Sequence, residues 1–513
     1  MKDRIALKRR AVLPALAALL VATAVPASAQ SLTDFEKKVT VKTLSNGWTF
    51  IICERPEAPV FSFSTHVNVG SAHEVTGITG MAHMFEHMAF KGTSVIGTTN
   101  YAAEKKALDK VDQAYAAFDT ERRKLRSDAE KVKALQKAWK DAQEDAGQFI
   151  RKNEFGEIID RQGGVGLNAG TGADSTVYFY SLPSNKLELW AYLESERFLD
   201  PVFREFYKER DVVKEERRLR TESNPIGRLI EQFVMLAFSA HPYEHPVVGY
   251  MSDLDSFSRE DAEKFYKTYY VPSNLVTSVV GDVKTAEVLA LAEKYFGRAL
   301  KGSPPPPIRT TEPEQIGEKS IRIPDPAQPF YVEGYHKPAS TDPDGPVYNA
   351  IVDVLSNGRT SRLYRSLVRD KQIAAAAQSF PSFPGDKFPN LFIVFGVPTP
   401  GHSNEEVRDA IRVELERMKT EDVSADEMAM VKTRAKAALV EGLGSNQGLA
   451  NNLAEYQTTF GDWRELFRAV EKIDKVTAGD IRRVSNTLFK DTNRTVAVVE
   501  TVPAPGPGGD ASR

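Results

Sequence analysis

The stretch Gly80-Met81-Ala82-His83-Met84-Phe85-Glu86-His87-Met88-Ala89-Phe90-Lys91-Gly92 holds the side chains best able to do chemistry. At helical spacing His83, Glu86 and His87 fall at i, i+3 and i+4 and share one face. Met81, Met84, Phe85 and Met88 cover the other side, so such a helix is buried nearly all round. Two imidazoles and a carboxylate turned inward are costly unless something satisfies them. A divalent metal does so. Zinc takes imidazole nitrogen at about 2 Å, and two histidines one turn apart fill two of its tetrahedral positions. The order His-x-x-Glu-His reverses the commoner His-Glu-x-x-His zinc helix. The plainer alternative is two hydrogen-bonded core histidines beside a helix-end carboxylate.

The chain has a single cysteine, Cys53, so it has no intrachain disulfide and no cysteine zinc site. A further ligand must therefore be His or carboxylate. From Asn185 to about Glu222 the pattern is helical, and it contains Glu209-Arg210-Asp211-Val212-Val213-Lys214-Glu215-Glu216. Glu216 lies on a stripe with Glu209, Val212 and Val213, whereas Glu215 shares a solvated face with Lys208, Asp211 and Glu222. An inward carboxylate needs a partner, which favours Glu216 as a third ligand. Taken alone, the segment reads more simply as Glu216 ion-paired to Arg210 or Arg217.

The elements that must position these groups are legible in outline. Residues 39–70 alternate as paired strands around the turn Asn46-Gly47. Residues 101–152 are rich in Ala, Lys, Glu, Asp and Gln, with Leu108, Val111, Tyr115, Phe118, Leu125, Val132, Leu135 and Trp139 at mostly three- and four-residue steps. That predicts a long amphipathic helix or helical hairpin projecting from the body, either solvated or touching a partner. Phe155 to Pro183 reads as a helix end, a Gly-rich turn and two strands; the Gly-x-x-x-x-Gly-Lys pattern of a phosphate loop is missing. Lys301-Gly302-Ser303-Pro304-Pro305-Pro306-Pro307 is a stiff linker. Residues 316–500 then repeat the coarse order of the first half without its His-x-x-Glu-His. Residues 503–513 read as a disordered tail.

Composition narrows the setting. A net charge of −3 gives no case for nucleic-acid or membrane-surface binding, and 41% hydrophobic content suits ordinary globular domains. Lys2, Arg4, Lys8, Arg9 and Arg10 precede an apolar run from Ala11 to Val25 and then Pro26-Ala27-Ser28-Ala29-Gln30. This predicts a secretory signal peptide cleaved after Ala29, by the general or the twin-arginine route, and a periplasmic location. A membrane anchor is the alternative, though the run is short for a span.

The chain resembles the M16 peptidases, the pitrilysin and mitochondrial-processing-peptidase group, and among them the short bacterial two-domain members. Gly80 to Thr93 matches the zinc helix of this inverzincin family. Asn168-Ala169 and Asp174-x-Thr176-x-Tyr178 match its substrate-side strand, and Glu209-Arg210-x-Val212-Val213-x-x-Glu216 with Asn224-Pro225 its third-ligand helix. His241-Pro242-Tyr243, Val248-Gly249, Met251-x-Asp253-Leu254, Tyr269-x-x-Pro272-x-Asn274 and Val280-Gly281-Asp282 follow in order.

The resemblance implies an α+β fold of two homologous α/β-roll domains, antiparallel-rich sheets packed by helices. These are a catalytic domain at 30–300 with the arm 101–152 inserted, a linker at 301–315 and a second domain at 316–502. It implies one zinc ion per chain held by His83, His87 and Glu216, with Glu86 as general base and Glu209 as supporting carboxylate. Water takes the fourth zinc position, where its pKa falls towards 7. Peptide substrates are expected as an added strand near Gly166–Gly170, held by Asn168 and Ala169. The arm is expected to fold outward without disturbing the site.

One departure concerns the second domain. The family places an Arg there and, about seven residues on, a Tyr, which together grip the scissile carbonyl. Here Arg369 is present but Ala374-Ala375-Ala376 stands where the Tyr belongs. The resemblance therefore implies the zinc-bearing subunit of a heterodimer whose homologous partner supplies the Arg/Tyr pair, with a homodimer as the alternative. A non-catalytic binding or assembly subunit, or some other zinc hydrolase, are the competing functions.

Overall fold

The computed structural model describes residues 35–503. The expected signal segment at 1–29 and all but the first residue of the expected tail lie outside these. Every candidate site residue belongs to one compact unit, which begins at Thr40.

The first half runs β1 (Val39–Thr43), β2 (Thr49–Glu54), β3 (Val60–Val67), α1 (Met81–Met88), α2 (Tyr101–Arg122), α3 (Ala129–Gly147), α4 (Glu154–Arg161), β4 (Val165–Thr171) and β5 (Thr176–Pro183). It continues with α5 (Leu187–Leu199), α6 (Phe206–Arg217), α7 (Pro225–Ala237), α8 (Arg259–Tyr269), β6 (Leu275–Gly281) and α9 (Thr285–Tyr295). After the linker come β7 (Lys319–Asp325), β8 (Phe330–Lys337), α10 (Gly345–Ser356), β9 (Ala374–Phe380) and β10 (Asn390–Pro398). The second half ends with α11 (Asn404–Thr420), α12 (Ala425–Gly442), α13 (Asn446–Phe460), α14 (Glu465–Lys475), α15 (Ala478–Leu488) and β11 (Arg494–Thr501).

The repeated order of elements reappears as topology. The sheets run β1-β2-β6-β3-β5-β4 and β7-β11-β8-β10-β9. Beyond β1 they correspond strand for strand. Among these corresponding strands, one pair in each sheet is parallel (β2 with β6, β7 with β11) and the others are antiparallel.

Each half covers the other's sheet with a helix from the same place in the repeat. From the first half, α7 lays Leu229, Phe233, Val234 and Ala237 on Val332, Leu391, Ile393, Ala497 and Val499 of the second sheet. Gly334 permits this approach, since a Cβ there would meet the Phe233 ring at 2.6 Å. From the second half, α13 reaches back to β3, where Gln447 Nε2 donates to the Phe63 carbonyl at 3.1 Å. That face of β3 carries Ser62, Ser64 and His66, while Phe61, Phe63 and Val67 enter the first core.

The 101–152 insertion departs from expectation. It forms a hairpin of two helices, but it lies against the body instead of projecting from it. Leu108, Val111, Tyr115, Phe118 and Trp139 are all buried in the first core. The physical reason is the size of its aromatic side chains, too much apolar surface for a two-helix hairpin to bury alone. The turn stands clear, with Leu125 fully exposed, and α3 buries only Trp139 and Ala146. The linker also does more than span: the Glu312 carboxylate accepts the N–H groups of Ser239, Ala240 and His241 at 2.7 to 2.9 Å.

Candidate metal centre

Helix α1 starts at Gly80, which has φ +91° and offers no side-chain cap. Glu74, six residues upstream, does that work, accepting Gly80 N–H and Ala82 N–H at 2.7 Å each. Burial pushes the Glu74 carboxyl well above the usual carboxylate range, against the pull of these amides. Asp253 fixes the preceding turn, accepting from Gly77 N–H, Thr79 N–H and the Thr79 hydroxyl at 2.7 to 3.1 Å. Gly249 presses on the same turn, and a Cβ on it would sit 2.2 Å from the Thr79 carbonyl. Thus two buried carboxyls and two glycines set the entry of the helix. Nothing in the residues around His83 signals Glu74. Asp253 stands in a recognisable motif, though its role is tertiary.

Along α1, Met81, Ala82, His83, Met84, Phe85 and Met88 are buried, and Glu86 and His87 are partly exposed. The two imidazole rings are 5.0 Å apart and nearly perpendicular. Helix α6 brings up the carboxylates. Glu216 Oε1 lies 3.6 Å from His83 Nε2, and Oε2 lies 3.4 Å from His87 Nε2. One donor atom from each of the three residues falls within 4.8 Å of the others, a group that could hold a metal ion. Glu215 points to solvent and pairs with Arg218, as its stripe implied. Val212 departs from its stripe, being half exposed.

The donor set fits zinc. Burial, then the like charges of His87 and Arg220, holds His83 down at about 3, so its imidazole is neutral with a lone pair free. Its Nδ1 is buried without a protein partner. Burial works the same way on His87, but Glu209 at 3.6 Å from Nδ1, together with Glu216, outweighs it and raises the group. Glu209 is itself held below the usual range: burial raises it, and His87 and Lys91 more than offset that. A carboxylate behind a ligand imidazole orients the ring. Lys91 closes this side, pairing with Glu209 and lying 3.5 Å from Glu205.

The ion-pair alternative for Glu216 names the wrong arginines. Arg210 donates to the Tyr115 hydroxyl and the Phe257 carbonyl, and Arg217 to Glu231 and the Gly249 carbonyl. Arg220, one turn beyond Glu216 and largely exposed, lies 2.8 Å from its Oε1. That i,i+4 spacing was readable in the sequence.

A cavity of about 700 Å³ opens beside His83, lined also by Glu86, Arg220, the Ala169–Ala173 stretch, Ile226 and Ile230 of α7, and Phe383 and Pro384 of the second half. Strand β4 is the sheet edge here. Asn168 is exposed, and its Oδ1 accepts the Ala169 N–H at 2.9 Å. Asp174 ties the halves beside the cavity: it accepts from the Tyr243 hydroxyl at 2.7 Å, Asp386 N–H at 2.6 Å and Lys387 N–H at 3.1 Å. Arg369 is not brought to this cavity. It sits exposed on the helical turn Tyr364–Asp370, paired with its neighbour Asp370.

Two family models match the chain, together over more than half of it: the insulinase-type peptidase M16 domain at residues 50–145 and the peptidase M16 inactive domain at 256–435. The zinc protease PqqE of Helicobacter pylori is 29% identical over 490 residues, covering 94% of this chain and 96% of that protein. The crystal structure of a protease from Helicobacter pylori aligns with TM-score 0.75 at 26% identity, over 90% of this chain and 99% of that one. A peptidase M16 inactive domain from Pseudomonas fluorescens shares the fold at 15% identity and TM-score 0.71, over 91% of this chain and 99% of that one. With its two-sheet repeat and these matches along both halves, the chain belongs to peptidase family M16.

Proposed function

We propose that this chain is a zinc-dependent endopeptidase or oligopeptidase acting on extended or unfolded peptides, with one zinc held by His83, His87 and Glu216. The observation that carries the reading is the convergence of these three donors within 4.8 Å of one another, with His83 and Glu86 lining a cavity that also takes in the edge strand β4. Zinc bound there supplies Lewis acidity, polarising the scissile carbonyl and lowering the pKa of water towards 7.

The chain's own residues do the rest. Glu86 lines the cavity together with His83, and its carboxylate takes a proton from the attacking water and passes it to the leaving amine. Glu209 keeps the His87 ring in place. The peptide adds as a strand along β4, replacing the Asn168 side chain on the Ala169 N–H, and Asn168 then holds the peptide. Recognition through backbone pairing makes sequence selectivity modest. A cavity of this size admits an extended segment and no folded domain.

The absent Tyr, and an Arg369 outside the cavity, support the zinc-bearing role in a heterodimer with a homologous partner. The basic and then apolar N-terminus supports export and a periplasmic location. A non-catalytic binding subunit would have no use for four converging acid and imidazole groups.

Zinc content and peptide cleavage of the wild type and Glu86→Gln test the reading. Zinc should be retained in both and kcat should fall by roughly 10²- to 10⁴-fold in the variant. Absence of zinc, or of cleavage in every preparation with or without a partner chain, rejects it.

A further inference from the structure

The hairpin α2–α3 touches α6 directly and reaches the segment after α1 through Arg204. On one side Glu104, fully buried, pairs with Arg204, itself 1% exposed, at 2.7 Å. Arg204 stands just before α6 and spends its remaining donors on the segment after α1. It donates to the carbonyls of Lys91 at 2.5 Å, Thr93 at 2.6 Å and Ile96 at 2.9 Å. The Lys91 side chain in turn pairs with Glu209 behind His87.

On the other side Arg210, between Glu209 and Glu216 on α6, is buried under the hairpin. Its guanidinium lies over the rings of Tyr115, Trp139 and Tyr207 at 5.1 to 5.7 Å and donates to the Tyr115 hydroxyl at 2.9 Å. The Tyr115 hydroxyl itself donates to the Ser256 carbonyl at 2.9 Å. The insertion therefore holds the segment after α1 and the third-ligand helix at once, and neither grip uses a residue that lines the cavity beside His83.

We propose that the inserted hairpin is a positioning clamp for the metal centre, with Glu104 acting through Arg204 and Tyr115 and Trp139 acting through Arg210. Glu216 must meet two imidazoles on a different element within a few tenths of an ångström, and two buried guanidiniums shared with the hairpin hold that register. Binding of metal and docking of the hairpin are then linked, each stabilising the other by the same factor. This rests on the metal reading above and adds a role for residues 101–147.

The test uses the full-length protein with zinc as the probe. Chelator competition gives the zinc dissociation constant for wild type, Glu104→Gln, Tyr115→Phe and, as a control destabilised elsewhere, Ile351→Ala in α10. The two hairpin variants should bind zinc roughly tenfold more weakly, the size usual for groups that orient metal ligands. The control should bind as wild type even where its melting temperature falls further. Amide exchange across 101–147 should slow when zinc is added to the wild type and respond less in Tyr115→Phe, which keeps the ring and loses only the hydroxyl. Zinc constants within twofold of wild type in both hairpin variants, or hairpin exchange indifferent to zinc, overturn the clamp while leaving the peptidase reading intact. A wild type that takes up no zinc overturns both.

Discussion

In the first half the helix after β3 carries His83, Glu86 and His87 to a cavity wall; in the second half the helix after β8 carries Val347, Tyr348, Ile351 and Asp353. The surrounding sheets are wired alike, strand for strand. What differs is the approach to the helix. Between β3 and α1 the chain makes a long turn pinned by Glu74 and Asp253, and after α1 comes the hairpin gripping Arg204 and Arg210. Between β8 and α10 the connection is short, and the helix begins at Gly345-Pro346 with a mostly apolar face. A shared scaffold thus leaves chemistry to the connections, as expected when function is grafted on a fold.

The comparison breaks most sharply at the ligands. His83→Ala or Glu216→Ala should abolish zinc retention and peptide cleavage together, measured by metal analysis and a quenched-peptide assay. Ile351→Ala in α10 should do neither. Deleting that fully buried side chain should instead cost about 2–5 kcal/mol of stability by urea unfolding, with zinc content unchanged. Zinc loss in Ile351→Ala would show that the second half also sets the metal site.

The seam between the halves is sharpened by Asp174→Asn, which weakens three hydrogen bonds to Tyr243, Asp386 and Lys387. Stability should fall by about 1–3 kcal/mol, and KM should rise with kcat little changed, because Phe383 and Pro384 lose their hold beside the cavity.

The smallest effect is acid sensitivity of the first half. His66 in β3 is buried and, through that burial and then the charge of Lys387, held down at about 3. The unfolded chain takes up a proton near its ordinary value and the folded chain does not, so stability drops as pH falls below about 6.5. From pH 6.5 to 5 the loss should be about 2 kcal/mol. His66→Gln should flatten that slope in pH-dependent melting, and an unchanged slope would count against it.

Much of the site was readable because helical spacing is a local property. His83, Glu86 and His87 share a face by arithmetic alone, and the choice of Glu216 over Glu215 followed from which stripe carried Val213. The strand pattern was equally local, so paired strands within 39–70 and two strands between Phe155 and Pro183 are found where alternation placed them, whereas β11, the last strand of the second sheet, was not singled out. The hairpin was recognised as helical, but its direction was misjudged. Periodicity reports that Tyr115 and Trp139 lie on an apolar face and says nothing about which surface that face meets. Arg369 was chosen by its place in a motif, and its exposed turn shows that the motif without its tyrosine does not bring it to this cavity.

By itself, then, the sequence determined the coarse repeat of the two halves, the stripe of His83, Glu86 and His87, and the family, since each depends on residue types at short separations along the chain. The tertiary structure alone decided that Glu74 caps α1, that Arg204 and Arg210 belong to the hairpin and not to Glu216, and that α7 and α13 trade sheets. These pairings join residues from six to several hundred positions apart. Such partners are selected by what remains buried and unsatisfied once the cores close, a quantity that no local pattern encodes.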